Sequence, residues 1–98
     1  MPLDRAPLTA VAARELGRQI VRTGTVHFRP HALRELAKDG CTTVDALNVM
    51  RGGTWQEAEF ENGEWRHQVR TPRMCVVIHF DTTTRIAVVT AWKYQARR

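Results

Sequence analysis

The 98-residue chain contains no serine, no internal repeat, no low-complexity tract, and no apolar run approaching the roughly 18 to 20 residues that a membrane-spanning helix needs. The stretch MPLDRAPLTAV lacks the apolar centre and small-residue cleavage site of a secretory signal. An organellar transit peptide is argued against by Asp4, Glu15 and the missing serine, although the first helical stretch is rich in arginine. The expectation is a cytoplasmic protein without membrane association. Cysteine is scarce: Cys41 and Cys75 form no C-x-x-C pair and have no plausible histidine ligand set beside them. Neither a metal nor a cofactor is predicted, and both thiols read as buried in a reducing compartment.

What remains is a chain of ordinary globular composition, 43% hydrophobic and 26% charged, of a length that supports one small core without staples. A single domain over residues 1 to 98 is expected. The formal charge of +5 is unevenly spread. Residues 51 to 64 carry one Arg and four Glu, whereas residues 65 to 98 carry seven Lys or Arg against Asp81 alone. Such a basic half is the footprint of a surface that meets a polyanion or an acidic protein.

Hydrophobic periodicity divides the chain in two. Leu8, Ala12, Leu16 and Ile20 recur every fourth residue, with Arg14, Arg18 and Arg22 on another face, which predicts an amphipathic helix from about Leu8 to Arg22 ended by Thr23-Gly24. Val26 to Phe28 is a short extended piece. Pro30 then starts a helix through Lys38 that stops at Gly40, and Thr42 with Asp45 gives a near-capping-box start to a third helix ending at Gly52-Gly53. The second half alternates with period two. Asn62-Gly63 predicts a hairpin between Trp55–Phe60 and Glu64–Arg70, followed by strands Met74–Phe80 and Arg85–Trp92. The predicted fold is α+β, with three N-terminal helices packed on a four-stranded antiparallel sheet. A two-residue hairpin loop pairs Glu59 with Arg66 and Trp55 with Arg70. It puts Trp65, His67 and Val69 toward the helices and Arg66 and Arg70 on the open face.

The order PHALRELAKDG, TTVDALNVM and a meander closing on IAVVTAW resembles a family of small bacterial proteins related to the RelE, BrnT and MqsR ribonuclease toxins. The resemblance covers about residues 26 to 93. It implies a RelE/BrnT-like core over residues 25 to 94, preceded by an N-terminal helical extension over residues 1 to 24. It also implies a toxin-like, metal-independent endoribonuclease that cleaves RNA and is neutralised by a cognate antitoxin. Three positions depart from the family pattern: Arg29 replaces a capping Ser or Thr, Glu35 an Arg, and Cys75 a His. The last two departures speak for the alternative, a non-catalytic nucleic-acid-binding or protein-interaction module.

Metal-free RNA cleavage needs a base for the 2′-hydroxyl, cations for the phosphate and an acid for the leaving oxygen. His31, at the second position of its helix, is the candidate base, because the helix dipole there favours the neutral imidazole; its competing role is a cap or a hydrogen bond to Thr90. Arg70 and Arg73 are the candidate phosphate clamp, with His79 as a further catalytic candidate. Arg66 is a candidate nucleic-acid contact whose competing explanation is an exposed ion pair with Glu59. Trp92, Lys93 and Tyr94 interleave aromatic and basic groups, the pattern that stacks a base while holding its phosphate. His67 reads as a half-buried structural histidine. The first helix is open to a homodimer, an antitoxin or the core alone.

Overall fold

The computed structural model describes residues 7 to 94; the first six residues and the last four, which include Arg97 and Arg98, lie outside it. Helix α1 spans Ala10–Thr23 and is capped by Thr9, whose hydroxyl accepts the Ala12 N–H. The free N–H of Ala10 donates to Glu57 Oε1 at 3.0 Å, an anion set where the helix dipole favours one. Helix α2 (Pro30–Lys38) begins at its proline, which has no N–H to leave unsatisfied. Helix α3 (Thr43–Gly52) begins with a complete capping box. Its Thr42 N–H donates to Asp45 Oδ2 at 2.7 Å, and the Asp45 N–H donates back to the Thr42 hydroxyl.

The extended segments are β1 (Thr25–Phe28), β2 (Thr54–Trp55), β3 (Glu59–Glu61), β4 (Glu64–Arg70), β5 (Met74–Thr82) and β6 (Arg85–Lys93). They form a mixed six-stranded sheet in the order β1-β6-β5-β4-β2, with β3 also paired to β4. The expected four-stranded antiparallel sheet is therefore corrected on two counts. First, Thr25–Phe28 is a true strand, and it lies parallel to β6 from Thr25 opposite Arg85 to Phe28 opposite Val88. Second, the expected strand Trp55–Phe60 is broken, with Trp55 opposite Val69 instead of Arg70. One extra residue bulges between Trp55 and Glu59. The break has a use: the Gln56 carbonyl accepts a hydrogen bond from His67 Nδ1 at 2.9 Å, satisfying a histidine that is only 2% exposed. The Asn62-Gly63 turn forms as expected, with positive φ at both residues.

All three helices contribute to one core against one sheet face. Ala13, Ile20, Ala32, Leu36, Ala46, Val49 and Met50 meet Val69, Met74, Val76, Ile78, Phe80, Ile86, Val88 and Ala91 there. Strict alternation along β5 brings Met74, Val76, Ile78 and Phe80 to this face. Gly17 lets α1 lie directly on the Trp55 indole, since a Cβ at this position would overlap the six-membered ring. The Trp55 N–H donates to the Met50 carbonyl, so the buried indole leaves no polar atom unpaired. The opposite face of β4, β5 and β6 carries no helix among the described residues. It holds a small separate apolar cluster of Cys75, Val77 and Val89, and the charged residues that surround it. Cys41, expected buried, is partly exposed, while Cys75 is fully buried.

Candidate nucleic-acid interface

Strand register decides which candidate residues meet. Arg70 lies opposite Cys75, and Cys75 lies opposite Trp92, so one row of the helix-free face reads Arg70, Cys75, Trp92. The next row is made by the backbone: the Tyr94 N–H donates to the Arg73 carbonyl at 2.8 Å, continuing the β5–β6 ladder one residue past β6. Tyr94 lies two positions after Trp92 and Arg73 two before Cys75, which by alternation turns both toward the helix-free face, with Arg73 at the sheet end where it also borders a cavity against α3. Arg73 sits in a turn fixed by Thr71, whose hydroxyl accepts the N–H groups of Arg73 and Met74. The backbone of Lys93 is tied to the end of α2, its N–H donating to Asp39 Oδ2 at 2.8 Å. Arg70, Arg73, Trp92 and Tyr94 thus form one patch.

Arg70 donates through Nε and Nη2 to the neutral Gln68 amide oxygen, and no carboxylate pairs with Arg70, Arg73 or Lys93 among the described residues. Trp92 and Tyr94, at and just past the end of β6, are 37% and 40% exposed. Beside them Cys75 is fully buried, and that burial pushes its thiol up, only partly offset by the Arg70 guanidinium.

The other end of the same face has the opposite character. Arg29, just before α2, donates to both oxygens of Glu64 at 2.8 and 2.9 Å, crossing from β1 toward β4. Arg66 Nε donates to Glu64 Oε2 at 2.8 Å and its Nη1 to Glu61 at 3.4 Å, and Arg85 pairs with Asp81. The Arg29 guanidinium holds the Glu64 carboxyl at about 2, well below the usual carboxylate range, with Arg66 helping and burial opposing. His79 Nδ1 donates to the Trp65 carbonyl at 2.8 Å, because a carbonyl can only accept; Nε2 is left 3.8 Å from both Glu64 and Asp81. A shallow cleft of about 210 Å³ opens beside it, lined by Phe60, Trp65, His79 and Asp81.

Of the eight residues singled out from sequence, four converge, and the other four lie elsewhere. His79 is six residues along β5 from Arg73, which at strand rise is about 20 Å. It does not join the clamp. Arg66 belongs to the ion-pair network, and its partners are Glu64 and Glu61 rather than the expected Glu59. Lys93 alternates to the helix side opposite Met74, at the edge of the patch. His31 is exposed, and the capping position before α2 is held by Arg29, which makes no side-chain cap. Sequence reasoning missed Arg29, Glu64 and Asp81 as a network. The one available signal was an arginine standing where a capping hydroxyl is usual. No protein-family model matches the chain, and neither the curated proteins nor the solved structures give a significant match.

Proposed function

We propose that the protein binds single-stranded RNA on its helix-free sheet face, anchored at the end where Arg70, Arg73, Trp92 and Tyr94 meet. The observation that carries this reading is the pairing of two arginines without carboxylate partners, among the described residues, with two half-exposed aromatics on one row pair of the sheet. Guanidinium groups hold phosphates, the rings stack bases, and neither contact requires a particular sequence. RNA rather than DNA follows from the toxin-like order of the elements. A cognate antitoxin would cover the same patch with acidic residues.

The test is fluorescence anisotropy of labelled RNA and DNA oligonucleotides over a salt series. Affinity for RNA should fall linearly on a log-log plot against salt, with about 0.7 of slope for each phosphate neutralised. Salt-independent or absent RNA binding would remove the reading.

A second reading, the metal-independent endoribonuclease, is favoured by His79. Its Nδ1 is committed to a carbonyl, which leaves Nε2 as the atom that takes or gives a proton on the same face as the patch. His31 is the alternative base in this reading. Incubating RNA with the protein in chelator separates the two functions, and His79→Ala and His31→Ala identify the group responsible. Intact RNA under conditions of saturated binding would leave a binding module.

A further inference from the structure

Arg14 and Arg18 stand one turn apart on α1 and so share one side of it. They line a cavity of about 310 Å³ between α1 and the junction of α3 with β2, where Val11 and Trp55 supply apolar wall and Gly53 and Thr54 the junction side. Its volume lies at the small end of the range for ligand sites. The lining holds two cations and no carboxylate. Neither arginine makes an ion pair among the described residues, and Glu57, which accepts the Ala10 N–H one turn before Arg14, does not line the cavity.

The Arg18 head group is anchored at this junction but not used up. Its Nη2 donates to the Gly53 carbonyl at 3.4 Å, a long bond, and its Nε is buried without a hydrogen-bond partner among the described residues. A buried donor left unmade is costly, and folded proteins nearly always give such a group a partner. Gly53 ends α3, so one role of Arg18 is to offset the negative end of that helix. That role leaves Nε unaccounted for. A small turn of the guanidinium toward a phosphate in the cavity lets Nε and one Nη donate together, in the paired fork that arginine makes with oxyanions, and Arg14 supplies a second charge.

The same junction touches the RNA patch. Thr54 lies opposite Arg70, and a Cβ at Gly53 would come within 2.9 Å of the Arg70 carbonyl oxygen, so Arg18 and Arg70 back onto one short piece of chain. Neighbouring strands are about 4.8 Å apart and β2 is the edge, so an RNA strand leaving the patch past Arg70 crosses β2 alone to reach the cavity. We propose that the cavity between α1 and the α3–β2 junction binds a phosphate group through Arg14 and Arg18, and that the RNA backbone supplies it on leaving the patch over the β2 edge. The phosphate site stands on the cavity and its arginines; only the source of the phosphate rests on the RNA-binding reading.

NMR of the arginine side-chain N–H groups reads the site directly. Inorganic phosphate at constant ionic strength should shift the Arg18 Nε–H resonance saturably, and Arg14→Gln should weaken that binding several-fold. No saturable shift, or one that Arg14→Gln leaves unchanged, overturns the site and leaves Arg18 as a partner of the α3 end. Fluorescence anisotropy identifies the source. Oligouridylate of about eight nucleotides should bind about fivefold more tightly at low salt than one of about three, with a salt slope steeper by about 0.7, the share of one more phosphate. Arg14→Gln with Arg18→Gln should remove both differences and leave the short oligonucleotide unchanged. Should melting show that double variant unfolded, Arg14→Gln alone, at an exposed position, should narrow the affinity difference at least about twofold. A length effect that survives in the folded variants overturns the RNA source. A phosphate shift without any length effect assigns the site to a free phosphate ester and overturns the backbone path. If neither oligonucleotide binds while phosphate still shifts Arg18, the RNA-binding reading falls and the phosphate site stands.

Discussion

The Glu64 end and the Trp92 end of the helix-free face are built on the same three strands, yet they treat charge in opposite ways. At the first, Arg29, Arg66 and Arg85 each meet a carboxylate, and the Glu64 carboxyl is held at about 2 by the arginines around it. At the second, Arg70 and Arg73 have no carboxylate among the described residues and share the sheet end with two exposed rings. A paired charge contributes to the fold; an unpaired one, at an exposed site, costs little and stays available to a ligand. Net charge alone does not distinguish these ends. Partner geometry does.

The comparison breaks most visibly at Glu64. Glu64→Gln leaves Arg29 and the largely buried Arg66 without their shared anion, and should cost about 2 to 3 kcal/mol by urea denaturation. Acid should reproduce it. Glu64 is held at about 2 in the folded chain against an ordinary 4.5, so the unfolded chain takes up the proton first. The stabilisation is complete above about pH 4.5 and is lost as the pH falls toward 2, a span worth about 3 kcal/mol. A Glu64→Gln variant should lose most of this acid sensitivity; an unchanged acid transition would show that the network is ornamental.

The Trp92 end should respond in ligand affinity instead. Arg70→Ala with Arg73→Ala is expected to weaken RNA binding by about 2 kcal/mol at low salt and to flatten the salt slope by about 1.4, while stability shifts by less than about 0.5 kcal/mol. Trp92→Ala should cost about 1 kcal/mol of RNA affinity by lost stacking and leave the salt slope unchanged. A steep stability loss in either variant would place these residues in the fold rather than the interface. The smallest effect should come from Asp81→Asn. Its exposed pair with Arg85 is worth under about 0.5 kcal/mol by thermal melting, and a larger loss would mean that Asp81 supports His79.

Local signals in the sequence carried much of this architecture. Pro30, the Thr42–Asp45 box and Asn62-Gly63 each act over four residues or fewer, and all three formed as expected. The parallel pairing of Thr25–Phe28 with β6 was not legible, because four residues announce neither partner nor direction. The slipped register at Trp55 was hidden for another reason: it answers the hydrogen-bonding need of His67, which only burial creates. For the site, Trp92 and Tyr94 declared themselves by the basic residues between and around them. Their meeting with Arg70 and Arg73 depended on how many residues the Thr71–Arg73 turn consumes. The Arg29–Glu64 clasp joins groups 35 residues apart across three strands, and no pattern of neighbours encodes it.

The parallel β1–β6 pairing also sets a timetable. Among the described residues β1 is the first strand and β6 the last, so the edge of the sheet cannot close until the chain as far as Lys93 is available. Closing so large a loop before its contacts form is entropically slow, and the hairpins of β4, β5 and β6 are the natural early nucleus. Until β6 is in place, β1 has no strand to join and α2 no strand to cover. On a ribosome, the patch of Arg70 and Trp92 and the closure of the sheet would therefore arrive together, both waiting on Arg85–Lys93.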